Sequence, residues 1–268
     1  PRSTPLYSSA ASDVYKRQEY LSRFFSSMES LYLDPGMNKS EVQKALHQMV
    51  SQSGLRDSYV AMVCSRGRPK IPGSRDPRDC ENHFFAWCVP YVHVIKPEII
   101  DQGATAWISQ NVYRIPEESV NPRVKNYHWG DFTQGIFEAK DNKYETVILL
   151  DFDGNVTEGP GFNVFAIKDG VLITPDRGVL AGVSRKTVLE IADYLGIGTS
   201  IRPLSVDELL AADEVFLSSS GGGVIPIVRV NETIYGNGVK GPISVRLNKT
   251  YWQWTTLEKY RDPINYIA

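Results

Sequence analysis

The chain has little of what staples small secreted or metal-bound proteins together. Its 268 residues hold three cysteines, Cys64, Cys80 and Cys88, an odd number with no C-x-x-C pair, so neither a disulfide framework nor a zinc site is expected. The four histidines, His47, His83, His93 and His128, do not cluster and form no H-x-x-x-H pair, and no metal is expected. No run approaches the roughly eighteen unbroken apolar residues of a membrane span. The most apolar stretch, His83 to Ile95, is broken by Pro90. An excess of one charge is missing too: 29 Lys and Arg stand against 31 Asp and Glu, for a net charge of −2. Such a balance gives no bulk pull toward nucleic acid or anionic membrane and favours a small-molecule partner. A secretory signal is not seen, the N-x-[ST] matches at Asn38, Asn155, Asn231 and Asn248 read as chance, and the expected location is the cytoplasm.

What is present is enough for a packed core, with 42% hydrophobic and 11% aromatic residues, in a length that suits one large domain or two modest ones. Residues 1–18, PRSTPLYSSAASDVYKRQ, are rich in Ser, Pro and Ala without apolar period. They read as a disordered tail or as sequence foreign to the natural protein, which would then begin upstream. Helices are predicted from Glu19 to Leu33 and from Ser40, the latter with a Ser40–Gln43 capping box and a stop at Gly54. Strands are predicted over Ser58–Ser65, His83–Ile95 and Ala104–Ile115, with a basic Pro/Gly-rich loop, Arg66 to Arg75, between the first two. Pro116 to Pro122 reads as a linker, dividing an N-terminal α/β domain (19–120) from a C-terminal one (121–268). Beyond it come a helix over Trp129–Lys140, a short strand over Val147–Leu150, a hairpin Asn163–Lys168/Val171–Thr174, and a helix over Arg185–Leu195. A short helix capped by Ser205, a strand over Glu214–Leu217 and a last helix over about Ile243–Tyr260 complete the list. A helix followed by strands suggests α+β rather than a wound parallel sheet.

Four places carry chemistry, and each has a plain alternative. Lys125 lies beside Tyr127 and Trp129. It is either a solvated lysine or an amine desolvated by aromatics, whose pKa would fall and which could form a Schiff base with a carbonyl. Glu158, among glycines in NVTEGPGFN, is either a turn carboxylate or an anion holding a proton on a pyridine nitrogen. Ser184, in LAGVSR at a helix start, is either an N-cap or part of a phosphate site built on free amides and the helix dipole. The run Ser218 to Gly223 after a strand is either a flexible turn or a second phosphate loop. It lacks G-x-x-x-x-G-K-[ST], and Gly159-x-Gly161-x-x-Val164 misses the third glycine of a dinucleotide fingerprint. An amine, an anion for a ring nitrogen and two phosphate cradles together describe pyridoxal 5′-phosphate.

The order and wording of VKNYHWGD, NVTEGPGFNVF, TPDRGVLAGVSR and FLSSSGGGVIPI resemble the class IV (fold type IV) pyridoxal-phosphate-dependent aminotransferases, from about Glu19 to the C-terminus. That group includes branched-chain and D-amino acid aminotransferases, and within it the chain looks most like the (R)-selective amine transaminases. The resemblance implies a two-domain α/β homodimer acting on an amine or amino acid and a keto acid. It implies that Lys125 is the Schiff-base lysine and proton carrier, and that Glu158 faces the pyridine nitrogen. It places the phosphate on Val183 and Ser184 at the helix start, on Ser219 and Ser220 of the second loop, and on Arg23. Tyr59, Trp129, Gly161 and Gly221 would line the substrate pocket.

Two departures from the family are visible. Amine transaminases commonly carry arginine before the glycine of the basic loop, where this chain has Pro72 before Gly73; Arg75 or Lys70 is then left to meet a substrate carboxylate. Two strands that relatives carry ahead of Arg23 are replaced by residues 1–18. The rival readings are a branched-chain aminotransferase, an aminodeoxychorismate-lyase-type enzyme with the same lysine, and a non-catalytic scaffold crippled by the altered N-terminus.

Overall fold

The computed structural model of the chain describes residues 16–266, and residues 1–15, most of the stretch read as a tail, lie outside it. Its contacts form two units. The smaller comprises residues 16–92, 124–126 and 255–266, the larger residues 93–123 and 127–254.

The smaller unit packs two helices, α1 (Arg17–Ser30) and α2 (Lys39–Ser53), on an antiparallel ribbon of β1 (Ser58–Pro69) and β2 (Cys80–Pro90). Helix α1 starts inside the stretch read as a tail: Lys16 donates its amide to Tyr260 O (2.9 Å), and Arg17 is buried. The α2 cap falls two residues earlier than predicted. Asn38, not Ser40, accepts the Ser40 and Glu41 amides (both 3.0 Å), and Glu41 returns the bond to the Asn38 amide at 2.7 Å. Both residues are good cap types, and the carboxylate three places after Asn38 decides between them. Strand β1 runs past its expected end because a bulge between Ser65 and Arg68 restarts the ladder. Arg66, read as part of a free basic loop, is already spoken for: its guanidinium donates to Leu31 O (2.5 Å) and Tyr32 O (2.8 Å) just beyond the end of α1. The core joins Leu21, Val42, Leu46, Val50 and Val60 to Ile264 of the returning C-terminal segment.

The larger unit is built on a nine-stranded mixed sheet. Its elements in order are α3 (Pro97–Gln102), β3 (Ala104–Tyr113), α4 (Gly130–Asp141), β4 (Thr146–Leu150), β5 (Glu158–Gly159), β6 (Phe162–Lys168), β7 (Val171–Thr174), α5 (Val183–Tyr194), β8 (Thr199–Ile201), α6 (Val206–Leu210), β9 (Glu214–Ser219), β10 (Gly223–Val230), β11 (Thr233–Ile234) and α7 (Pro242–Thr255). The spatial order is β4-β3-β10-β9-β6-β7-β8, with β5 on β6 and β11 on β10. The β6/β7 hairpin is the one predicted, turned at Asp169-Gly170, both with positive φ. Strands β6, β9 and β10 are buried almost end to end, as expected of strands covered on both faces. One face carries Val164, Ala166, Val215, Leu217, Ile225 and Ile227. On the other, Phe165 and Phe216 are paired in register and stacked 4.8 Å apart. Helix α4 lies close on β4 because Gly135 has no side chain; a Cβ there would come within 2.9 Å of Leu149. The last helix ends at Thr255 rather than Tyr260, and residues 258–260 form a separate 3-10 turn. Among the described residues no helix is long and apolar enough to cross a membrane, and no group of three His, Cys, Asp or Glu side chains is placed to hold a metal ion.

Candidate active site

Pairing in the larger sheet sets a row of polar residues side by side. Glu158 of β5 faces Asn163 of β6, which faces Ser218 of β9. Directly opposed residues of antiparallel strands share a face, so these three side chains stand in line. Glu158 is only 5% exposed, and a carboxylate there needs partners. Its Oε1 accepts from Arg114 Nη2 (3.2 Å); its Oε2 accepts from Asn163 Nδ2 (3.3 Å) and the Leu180 amide (2.8 Å). Arg114 follows the end of β3, and its Nη1 donates to Asp131 Oδ2 (2.6 Å) in the first turn of α4. Asp131 Oδ2 also takes the Ile115 amide at 3.0 Å. Arg114 and Asp131 are buried as well, with Phe132 lying 4.3 Å under the guanidinium. The three groups form one buried chain, Asp131–Arg114–Glu158, with one positive and two negative charges.

Beside this row the chain from Leu180 turns into α5. The N-cap is Gly182, not Ser184, and no side chain caps the first turn. A Cβ at Gly182 would sit 2.3 Å from Asn163 Oδ1, so the close approach of helix start to strand requires glycine there. Ser184, second in the helix and 3% exposed, is freed from capping. Its Oγ lies 3.1 Å from the Tyr251 hydroxyl and 3.4 Å from Ser220 Oγ. Hydroxyls gathered at an uncapped helix start suit an anion. The two neighbouring serines differ. Ser219 Oγ is committed to the turn, donating to Gly161 O (2.8 Å) and accepting from the Gly221 amide (2.9 Å). Ser220 is the one beside Ser184. Arg185, next in α5, donates to Thr174 Oγ1 (3.3 Å) and Pro175 O (2.9 Å). Its pKa is pushed down, first by burial and then by the charge of Arg123, while Asp176 and Glu158 pull it back.

The larger unit thus brings together Glu158, Val183, Ser184, Ser219 and Ser220 of the residues singled out from sequence. Gly161 (φ +84°) and the buried Gly221 belong to the same strand-end turns, and Gly221 O accepts from the Val94 amide at 2.8 Å. Trp129 is the N-cap residue of α4, packed edge-on against Phe132 at 5.7 Å and 38% exposed. Arg23, Tyr59, Arg75 and Lys125 belong to the smaller unit. Arg23 is half-buried, 5.3 Å over the Tyr20 ring; Tyr59 faces Val89 in the β1/β2 ladder; Arg75 is exposed. The Lys125 amide donates to Ser27 Oγ (3.1 Å) and its side chain is exposed. The sequence alone does not single out Arg114, Asp131, Asn163 and Tyr251. Asp131 and Asn163 lie inside the quoted motifs, whereas nothing local marks Arg114 or Tyr251.

Comparison with known proteins identifies the family. The sequence profile of the family described as amino-transferase class IV matches residues 8–230. The putative branched-chain-amino-acid aminotransferase of Methanocaldococcus jannaschii is 28% identical over 241 residues, covering 89% of this chain and 81% of that protein. The branched-chain aminotransferase of Thermoproteus uzoniensis, solved with norvaline, superposes with a TM-score of 0.86 at 26% identity, covering 94% of this chain and 85% of that one. The branched-chain amino acid aminotransferase of Thermobaculum terrenum, solved in its PLP form, gives 0.84 at 24% identity, covering 94% and 84%, a likeness of fold. The profile spans most of the chain and includes the Glu158 row, the α5 start and the Ser218–Gly223 turn, so the chain belongs to the class IV aminotransferases, the pyridoxal-phosphate-dependent family of fold type IV that its motifs resemble.

Proposed function

We propose that the protein moves an amino group from a branched-chain amino acid to a 2-keto acid, using pyridoxal 5′-phosphate. The observation that carries this is the buried Asp131–Arg114–Glu158 chain beside an uncapped helix start. Three charged groups summing to one negative charge suit a protonated ring nitrogen, and the amides and hydroxyls at Val183, Ser184 and Ser220 suit a phosphate. The residues present therefore fit the cofactor. The branched-chain preference rests on the relatives of that name, and no pocket residue is needed to argue it.

When bound, the cofactor supplies an electron sink for charge developing on the substrate carbon. The protein's residues do the rest. Lys125 Nζ would hold the cofactor through its aldehyde group and would serve as the base that carries the substrate proton. Glu158 holds the proton at the ring nitrogen. Ser184, Ser220 and the Val183 amide hold the phosphate, with Ser219 bracing their turn and Arg23 as a further cation. Tyr59, Trp129, Gly161 and Gly221 are proposed as substrate contacts, Arg75 as the carboxylate partner, and a homodimer as the working state.

Borohydride reduction of the cofactor-loaded protein, followed by peptide mapping, should place the label on Lys125; a label on another lysine ends the assignment. A donor panel with a 2-keto acceptor should rank L-leucine above an (R)-arylalkylamine. The reverse ranking favours an amine transaminase, and keto-acid formation without an acceptor favours a lyase.

A further inference from the structure

The Glu158 carboxylate is not held by neutral donors alone. Arg114 reaches it from the end of β3, 44 residues away in sequence, and the same guanidinium is held by Asp131. A lone arginine at hydrogen-bond distance would fix the carboxylate but cancel its charge. An ammonium or pyridinium on the far side would then meet a neutral pair. The second carboxylate changes this arithmetic: Asp131 offsets Arg114, and the buried trio keeps one net negative charge. Arg185 also feels Glu158, but it spends its hydrogen bonds on Thr174 and Pro175 O and has Asp176 and Arg123 as its other charged neighbours.

We propose that Arg114 and Asp131 are positioning residues for Glu158, Arg114 fixing the orientation of its carboxylate and Asp131 cancelling the arginine's charge, so that Glu158 meets the cofactor's ring nitrogen as a full anion. The inference rests on the role given to Glu158 above. The pair has a second effect through chain connectivity. Asp131 also binds the Ile115 amide, so the two ends of the stretch 115–130, which includes Lys125, are fastened at Arg114–Asp131. Phe132 under the guanidinium keeps water from its face.

The test uses the cofactor-loaded protein, with two readouts besides turnover: the dissociation constant for pyridoxal 5′-phosphate, and the 15N resonance of the ring nitrogen in labelled cofactor. Asp131→Asn removes one charge and keeps the shape. It should weaken cofactor binding roughly tenfold, the scale of one unit charge a few ångströms away in a partly screened interior, and move the resonance toward neutral pyridine. Arg114→Met should do more, because two buried carboxylates without a cation between them cannot both stay ionised. Arg114→Lys, which keeps the charge but not the fork, should recover part of the loss. In a Glu158→Gln background, Asp131→Asn should change neither readout further. An unchanged resonance and affinity in Asp131→Asn, or an equal loss with and without Glu158, overturns the inference. Wild-type protein that binds no cofactor, or binds it with a neutral ring nitrogen, overturns the role of Glu158 itself. If Arg114→Met does not fold, the Asp131→Asn pair of measurements decides alone.

Discussion

Two glutamates of the larger unit are each held by several donors, and they are held differently. Glu138 on α4 accepts from Trp107 Nε1 (2.9 Å), Ser109 Oγ (2.7 Å) and the Gln110 amide (2.8 Å), with the Asn111 amide at 3.4 Å. All are neutral and lie within five residues of β3. Burial would raise its pKa, but these bonds outweigh that and hold it below the ordinary glutamate value. Glu158 instead draws its donors from the end of β3, β6 and the α5 approach, and one of them carries a charge that a second carboxylate balances. The first arrangement pins one strand to one helix. The second ties a strand, a strand end and a helix approach to one buried carboxylate, and a buried charge so held is a candidate for the functional role proposed above.

The comparison can be broken by exchanging the two effects. Glu158→Gln should lower kcat by about 10²–10⁴-fold, the usual range for losing control of a proton in the reacting system, with little change in urea midpoint. Steady-state kinetics beside denaturation curves check both halves. Glu138→Gln should do the opposite, costing about 1 kcal/mol of stability, a small figure because the carboxylate is only partly buried and water replaces part of what is lost, at unchanged kcat. Gly182→Ala should press on Asn163 and push the helix start away, costing roughly 1–3 kcal/mol and weakening phosphate binding, read by melting and cofactor titration. Ser220→Ala should weaken cofactor binding by about 1 kcal/mol or less, and Ser219→Ala should loosen the turn instead. The smallest effect is in pH. With its folded pKa depressed, Glu138 contributes stability above the ordinary value of 4.5 and loses it as pH falls through the lower folded value. The acid limb of the stability curve should therefore be flatter in Glu138→Gln.

Much of this is legible in the sequence because it is local. The β6/β7 hairpin carries its own turn, Asp169-Gly170, and α5 announces itself by apolar spacing. Glu158, Ser184 and Ser220 can be chosen because each lies in a short run whose composition suggests its surroundings. Arg114 cannot, since its partners sit 17 and 44 residues away and a charged residue at a strand end usually faces water. Strand β10 is hidden for another reason. Pro226 argues against a central strand, yet β3 pairs with β10 only from Ile227 onward, so the missing N–H does not interrupt two ladders at once. Serine favours caps, which draws the eye to Ser184 as one; the tight contact between Gly182 and Asn163 is tertiary and leaves no trace in a single segment.

The phenol of Tyr251 touches Ser184 from the final helix. During synthesis the strand row and the α5 start are complete once residue 220 has emerged, but this hydroxyl arrives about thirty residues later, in α7. Tyr251 therefore reaches Ser184 only in the near-complete chain, and a ribosome-stalled product ending before α7 would hold the other groups proposed for the phosphate without this hydroxyl.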